Sequence, residues 1–194
     1  MGVWRTTSLD TPATVTSPLP YLSVPSDSCG LDVALPSRTM AEQLSVTQEI
    51  NAPADKVWAM VSDLTRMGEW SPENEGATWL RGATGPVVGA AFRGVNRNGK
   101  KKWTTSGTII ELEPARVVAF RTSAAGFKVA EWRYAFETTS TGCRVTETWI
   151  DQRGAIAKAL SKPVSGVADR ASHNRDSMEK TLERLKSAAE SSSS

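Results

Sequence analysis

Histidine and cysteine are scarce in this chain of 194 residues. It has one histidine, His173, and two cysteines, Cys29 and Cys143, which lie far apart in the sequence. Zinc sites use several cysteine, histidine or carboxylate ligands at set spacings, and disulfide frameworks use more cysteines, so neither pattern is present. The sequence therefore predicts no metal and no other cofactor, and it predicts a reducing, cytoplasmic environment.

Net charge and long apolar runs are also lacking. The 23 lysines and arginines nearly balance the 21 aspartates and glutamates, which leaves a formal charge of +2. Such a balance gives no electrostatic reason to expect a nucleic-acid partner. No run of about 18 apolar residues exists, so we expect no stable membrane insertion. Composition leaves any protein partner unknown.

Serine, threonine and proline dominate the first 39 residues, and no apolar periodicity emerges there. Such a segment buries too little apolar surface to offset the entropy lost on ordering, and it has no continuous apolar stretch typical of a secretion signal. We expect residues 1–39 to be a disordered N-terminal extension, residues 40–190 to be one domain, and residues 191–194 to be a frayed tail. Met40 stands just before the first orderly pattern, which suggests the hypothesis that the natural chain starts there.

Strand and helix patterns begin at Leu44. Leu44, Val46 and Ile50 alternate with polar residues, as in a half-buried strand. Two short helices are expected next, one starting at Pro53 and one capped by Asp63. The next part of the chain is rich in strand patterns.

Six further strands are expected, over residues 77–81, 90–96, 102–112, 117–122, 129–138 and 144–152. Asn98-Gly99 is a strong signal for a hairpin between the second and third of these. A short apolar helical piece at residues 155–160 is expected to end before Pro163. A long helix then presents one apolar face with spacings of three and four, formed by Val167, Ala171, Asn174, Met178, Leu182, Leu185 and Ala189.

Consecutive strands joined by hairpins make an antiparallel sheet, and a long amphipathic helix must cover one of its faces. The predicted fold class is therefore α+β, a helix-grip. A curved antiparallel sheet of about seven strands wraps around a long C-terminal helix, and two short helices follow the first strand. This arrangement leaves a cavity between helix and sheet.

Several segments also resemble a known family. INAPADKVWAMVSDLTRMGEW resembles the opening of the START-like (SRPBCC) superfamily, and WSPENEGATWLRGATGPVVGAAFRG, KKWTTSGTIIELEPARVVAFR, VAEWRYAF and GCRVTETW resemble its bacterial polyketide cyclase/dehydrase-type branch. The resemblance covers roughly residues 42–190 and implies a START-like ligand-binding domain. Members of this superfamily include lipid carriers, hormone-binding proteins and aromatase/cyclases, so the resemblance implies a pocket without naming what fills it.

Strand alternation places the carboxylate of Glu147 on the face of the sheet that points to the predicted cavity. Val145, Glu147 and Trp149 share one face of the last strand. A buried carboxylate is costly unless it is paired, hydrogen-bonded or protonated, so Glu147 is predicted to anchor a hydroxyl, amine or carbonyl group of a ligand. The alternatives are a structural partner for Arg93, Arg144 or a backbone group, or a register slip that exposes the side chain.

Aromatic residues dominate the other inward faces. A wide aromatic lining suits a flat, largely apolar ligand, and a filled core is the alternative. Trp70 and Trp79 flank a polar loop and are predicted to fold over the cavity mouth as a lid, or else to pin the loop to the body. The predicted ligand-binding residues are Trp70, Trp79, Phe92, Asn96, Trp103, Thr105, Phe120, Trp132, Phe136, Val145, Trp149, Met178 and Leu182.

Three functions remain open on the sequence. The first is binding of a small hydrophobic molecule, lipid-like or polycyclic aromatic. The second is a polyketide cyclase or dehydratase in which Glu147 or Tyr134 acts as acid or base. The third is a protein-interaction module like the chaperone cofactors that share this fold. An open cavity with only scattered hydrogen-bond donors favours the first function, and an open cavity that holds one isolated carboxylate favours the second. A closed, filled interior with an exposed apolar patch favours the third.

Overall fold

Seven strands form one antiparallel sheet in the computed structural model, which describes residues 41–191. Its spatial order is β1-β7-β6-β5-β4-β3-β2, so the first strand pairs with the last and every other strand pairs with its neighbours in sequence. The predicted α+β helix-grip is confirmed. The strands are β1 Gln43–Ile50, β2 Asn74–Trp79, β3 Ala91–Asn98, β4 Lys101–Glu113, β5 Val117–Ala124, β6 Phe127–Thr138 and β7 Cys143–Asp151.

Three α-helices and one 3-10 helix complete the described part of the chain. They are α1 Ala54–Ser62, the 3-10 helix Leu64–Glu69, α2 Ala155–Ser165 and α3 Arg170–Ser191. None of them is long and apolar enough to cross a membrane. The predicted extension at residues 1–39, the hypothesis about Met40 and residues 192–194 of the predicted tail lie outside the described residues, whereas Ser191 still belongs to α3.

The two short helices begin as their sequence signals predict. α1 follows Pro53, whose fixed backbone angle suits the start of a helix, and it buries Val57 and Val61. The 3-10 helix is capped by Asp63, whose carboxylate accepts a hydrogen bond from the backbone N–H of Thr65. Together they carry the chain from β1 to β2.

The long helix α3 packs its predicted face against the sheet. Leu182, Leu185 and Ala189 join the main core, whereas Met178 packs in a second cluster with Trp149. Val167 is buried, as predicted, but it precedes α3 instead of belonging to it. The helix therefore closes one end of the sheet and lines a space at the other.

Pro163 does not stop α2, contrary to the sequence expectation. It lies inside the helix, which continues to Ser165 and ends at Gly166 in the left-handed conformation, with φ of 76°. Pro163 has no N–H to donate to the carbonyl of Ala159, so one helical hydrogen bond is missing there. The Ser165 hydroxyl also donates to the Ser161 carbonyl at 2.8 Å, and the Gly166 N–H donates to the Lys162 carbonyl at 2.8 Å.

The β3–β4 hairpin turns one residue later than Asn98-Gly99 suggests. Asn98 still belongs to β3 and pairs with Lys101, so the two turn residues are Gly99 and Lys100. Gly99 has φ of 56°, a conformation that glycine adopts without steric cost. The side-chain amide of Asn98 also donates to the carbonyl of Ser165 at 3.0 Å, which attaches the hairpin tip to α2.

Candidate functional site

A cavity of about 640 Å³ lies between the sheet and the helices α2 and α3. This volume falls within the range of roughly 300–1,000 Å³ that is typical of small-molecule sites. Seven aromatic side chains from β3 to β7 line its walls, and five of them are predicted ligand-binding residues: Phe92, Trp103, Phe120, Trp132 and Trp149. The aromatic stripe is therefore not a completely filled core.

Glu147 reaches this cavity from β7 and is only 3% exposed. It lies opposite Tyr134 on β6, and the tyrosine O–H donates to Glu147 Oε1 at 2.7 Å. The second oxygen, Oε2, is buried without a hydrogen-bond partner. Both arginine partners are wrong, because alternation places them on the other face of the sheet. Arg144 pairs with Glu49 and Glu137, and Arg93 is exposed on β3.

Burial controls the protonation of this pair. It raises the pKa of Glu147 to about 8, although the hydrogen bond from Tyr134 acts in the opposite direction. Burial, followed by the charge of Glu147 and the hydrogen bond to it, also raises the pKa of the Tyr134 phenol well above its usual value. Near neutral pH the carboxyl group is therefore mostly protonated, and its O–H can donate to a ligand oxygen. Above pH 8 the carboxylate can only accept.

A chain of neutral polar groups lies on the other side of the cavity. The Asn74 amide donates to Asn96 Oδ1 at 3.2 Å, and the Asn96 amide contacts Thr105 Oγ1 at 3.3 Å. All three residues line the cavity. The predicted anchors Asn96 and Thr105 are thus brought together, but they already bond to each other.

Two charged clusters on the cavity wall were not predicted from the sequence. In the first, Arg170 Nη1 lies 2.9 Å from both carboxylate oxygens of Glu73, and His173 Nε2 lies 2.6 Å from Oε2. The guanidinium of Arg170 also lies 5.9 Å from the centre of the Trp103 ring. The cluster links the loop before β2 to the start of α3, and no local pattern reveals contacts between residues about 100 positions apart.

The second cluster is a buried ion pair between Arg153 and Asp151 that holds α2. Arg153 donates through Nε and Nη2 to the carboxylate at 2.8 and 2.9 Å, and through Nη1 to Ser161 of α2 at 2.8 Å. Lys158 adds a contact of 3.4 Å to the same carboxylate. Burial alone would raise the pKa of Asp151, but the hydrogen bonds and charges of Arg153 and Lys158 lower it overall.

Most of the predicted site residues line this one cavity. Besides the five aromatic residues, the lining includes the predicted residues Asn96, Thr105, Tyr134, Glu147 and Met178. Strand alternation identified all of them except Met178, which the helical spacing of α3 identified, and the observed register follows the alternation. Whether any of them binds a ligand stays a prediction.

Three other predicted residues do not belong to the cavity lining. Phe136 and Val145 pair across β6 and β7, one step beyond the Tyr134–Glu147 pair. There they pack in the main core together with Leu182, so the side chains that share a face with Glu147 divide between cavity and closed core. Alternation fixes the face of a side chain but not how far the cavity extends along it.

The predicted tryptophan lid is also wrong in its geometry, because neither indole lines the cavity. Trp70 is fully buried in the core, with its indole N–H lacking a partner. Trp79 packs edge-on against Phe92, with ring centres 6.2 Å apart. The Arg66 guanidinium covers the Trp70 ring at 5.2 Å. The two tryptophans pin their loop to the body of the domain, as the alternative interpretation stated.

Comparison with known proteins tests the resemblance. A family profile described as polyketide cyclase / dehydrase and lipid transport matches residues 41–190. The chain belongs to this family. One solved structure that is similar to this chain is the Polyketide_cyc-like protein Cgl2372 of Corynebacterium glutamicum. The two are 30% identical, with a TM-score of 0.51, over 74% of this chain and 88% of that one. Comparison with curated protein sequences gave no significant match.

More distant structures share the fold of this polyketide cyclase/dehydrase family chain. Protein Ms6760 of Mycobacterium smegmatis is 17% identical, with a TM-score of 0.54 over 77% of this chain and 92% of that one. The di-domain ARO/CYC StfQ of the steffimycin biosynthetic pathway is 12% identical, with a TM-score of 0.61 over 78% of this chain and 52% of that one. At these identities the likeness concerns the fold.

Proposed function

We propose that this protein binds one small, flat, mostly apolar molecule in the central cavity and holds an oxygen of that molecule on Glu147. The observation that carries the proposal is the free oxygen Oε2 of Glu147, buried on the wall of a cavity of about 640 Å³. A buried polar atom without a partner costs roughly 1–3 kcal/mol, and a ligand group that bonds to it would remove this cost.

The surrounding wall supports a flat apolar ligand. Trp132 and Trp149 face each other across β6 and β7, one step from the Glu147 pair. Phe92 and Phe120 meet edge-to-face at 5.5 Å and extend the aromatic surface toward β3. Large rigid aromatic surfaces bind flat apolar molecules with little loss of side-chain entropy.

The protonation state of Glu147 specifies the preferred polar group. With a pKa of about 8, the carboxyl group is neutral at pH 7 and offers one O–H donor. A ligand carbonyl would accept this hydrogen bond. The affinity for a carbonyl ligand should therefore fall as the pH rises above about 8, because the carboxylate has no proton to donate.

Native mass spectrometry of the purified protein, followed by denaturing extraction, tests the proposal. We expect a retained small molecule that carries a carbonyl or hydroxyl group on an apolar ring system. Trp132→Phe should weaken its retention, because Trp132 lines the cavity. Trp58→Phe is the matched control, since Trp58 donates to the Val117 carbonyl at 3.0 Å outside the lining.

An empty protein that also ignores a panel of lipids and polycyclic ketones, as followed by tryptophan fluorescence, would contradict the proposal. Equal effects of the two tryptophan substitutions would contradict it too. In that case the cavity aromatics would be packing residues only.

A second function, proton transfer in a cyclase or dehydratase reaction, is favoured by one observation. A carboxyl group with a pKa of about 8 is populated in both forms near neutral pH, which is the condition for general acid–base catalysis. The base form of Glu147 could take a proton from a carbon beside a ligand carbonyl. If so, Glu147→Gln would still retain the molecule but leave it unconverted, whereas a pure carrier would show no conversion with either protein.

A further inference from the structure

The helix α2 is apolar yet buries almost nothing. Of its eleven residues only Ser165 is buried. Ile156, Leu160 and Val164 follow one another at spacings of four, so they form a stripe along one face, and their exposed fractions are 63%, 49% and 52%. A continuous exposed apolar stripe of this kind marks an interaction surface.

The stripe borders the mouth of the cavity. Phe127, at the tip of the β5–β6 hairpin, is 42% exposed. Phe127, Leu160 and Val164 all line the cavity as well. These residues and Ile156 are called the mouth rim below. Whatever covers the mouth rim therefore also faces the opening of the ligand cavity.

Positive charge surrounds the mouth rim. Three segments meet at this end of the domain: residues 97–102 and 124–129, which form hairpin tips, and residues 152–167, which contain α2. They hold no aspartate or glutamate and eight cations, namely Arg97, Lys100, Lys101, Lys102, Lys128, Arg153, Lys158 and Lys162.

One hydrogen bond and a shared cavity wall place the three segments at the same end of the domain. Lys101 Nζ donates to the carbonyl of Pro163 in α2. Phe127 of the other hairpin lines the same cavity as α2. The β3–β4 tip therefore adds its charge to the surface that carries the apolar stripe.

Part of this charge is compensated from outside the segments. Arg97 and Lys102 contact Glu75, and Arg153 and Lys158 contact Asp151. Within residues 41–191 no ion pair forms on the remaining lysines of the three segments, Lys100, Lys101, Lys128 and Lys162. Two carboxylates next to these segments, Asp169 and Asp176, share a groove with Asn98, Gly166 and Val167. Four lysines against two carboxylates leave the surface with a net positive charge around its apolar centre.

We propose that the mouth rim docks this protein reversibly on an anionic lipid bilayer. An apolar stripe flanked by lysines lies well in the interface between headgroups and acyl chains, where anionic lipids attract the lysines. A second copy of the chain fits poorly, because the same cationic segments would meet each other. Docking here would let an apolar ligand pass between bilayer and cavity without crossing water. The proposal concerns the surface and does not depend on the identity of the ligand.

Sedimentation with vesicles tests the docking. We expect the full chain to bind vesicles of phosphatidylcholine and phosphatidylglycerol, to release at high salt, and to bind pure phosphatidylcholine weakly. Replacing Lys128 and Lys162 by glutamine should weaken binding roughly 25-fold, about fivefold for each lysine. Ile156→Ser should weaken it roughly tenfold by removing an inserted apolar side chain. Ile156 does not line the cavity, so this variant should retain any ligand unchanged.

Matched controls come from distant surfaces. Lys180→Gln removes an exposed lysine of α3, and Val87→Ser removes a side chain that is 60% exposed on the β2–β3 loop. Both should bind vesicles like the unaltered protein. Absence of vesicle binding at low salt would overturn the proposal, as would equal losses in the controls or an Ile156→Ser variant that binds normally.

Two further outcomes would assign the mouth rim to another occupant and overturn the proposal. One is binding to soluble polyglutamate, as a probe for an acidic protein surface, together with no binding to anionic vesicles. The other is a concentration-dependent dimer in analytical ultracentrifugation that Ile156→Ser dissociates.

Discussion

Replacing Glu147 by glutamine should change the pH dependence of stability in a defined direction. Glutamine keeps an oxygen that can accept the Tyr134 hydrogen bond but does not titrate in this range. A glutamate whose pKa is raised on folding binds its proton more tightly in the folded state than in the unfolded one. Its contribution to stability is therefore greatest below pH 4.5 and is lost as the pH rises toward 8.

The magnitude follows from the two pKa values, 4.5 for an ordinary glutamate and about 8 for Glu147. Each pH unit between them changes the free energy of unfolding by about 1.4 kcal/mol, so the full loss is about 5 kcal/mol. At pH 7 the loss is about 3 kcal/mol by the same arithmetic. The Glu147→Gln protein lacks this loss, so the difference between the free energies of unfolding of the two proteins should grow steadily over this pH range. A buried amide without a second partner would add an offset that does not vary with pH.

Urea unfolding followed by tryptophan fluorescence, at several pH values between about 5 and 9, measures the effect. The difference in free energy of unfolding between the two proteins isolates Glu147. Every other titrating group is common to both proteins, including carboxylates with a lowered pKa such as Asp151. Stability curves of the two proteins that run parallel over this range would refute a buried carboxyl with a raised pKa. A cooperative collapse of the variant at all pH values would instead identify Glu147 as a structural residue.

Three more substitutions test the surroundings. Tyr134→Phe removes the hydrogen bond that opposes the effect of burial, so the pKa of the partner carboxyl should rise above about 8, as measured by the same stability curves. Gly107→Ala would place a Cβ 2.1 Å from the ring of Phe92, so we expect a loss of about 1–3 kcal/mol in urea unfolding and a changed cavity wall. Arg153→Met leaves the Asp151 carboxylate buried without its main partner, which should cost about 3–5 kcal/mol.

Each of these substitutions has a control or a result that would contradict it. Arg121→Gln breaks a surface pair with Glu131 and should cost at most about 1 kcal/mol. An equally small loss for Arg153→Met would show that the Arg153–Asp151 pair is solvent-exposed. An unchanged pKa in Tyr134→Phe would mean that the hydrogen bond does not affect titration. A Gly107→Ala protein of normal stability would show that the ring of Phe92 is free to move.

The fold could be predicted because its signals are local. Alternation along β7 placed Val145, Glu147 and Trp149 on one face, and the register with β6 keeps them there. Turn residues and a long amphipathic helix then fixed the order of the elements. These patterns repeat within a few residues, so they survive without knowledge of distant contacts.

The rest of the site depends on contacts between distant residues. Trp70 sits in a polar stretch but is buried, because the body of the domain covers it. Glu73 contacts Arg170 and His173, which lie about 100 positions away in the sequence, and no periodic pattern predicts such a contact. Periodicity likewise could not tell which inward side chains would border empty space and which would touch α3 or α1.

Three features of this domain each cost folding free energy, and the proposed ligand and the proposed bilayer together would offset all of them. Glu147 is buried with its pKa raised, the cavity lacks packing atoms, and the apolar stripe of α2 faces solvent. The strand register orders them from the mouth inward: Asp151 holds α2, the Trp132–Trp149 pair follows two residues deeper, and the Glu147–Tyr134 pair two residues deeper again.

Four residues along a strand span about 13 Å. A flat molecule of about this length, entering beside α2, would pass between the indoles and place its oxygen on Glu147. Packing alone explains none of the three costs, since a filled apolar core of the same fold would be more stable without them. A ligand that reached from the mouth rim to Glu147 would offset the first two costs, and a bilayer against the mouth rim would offset the third.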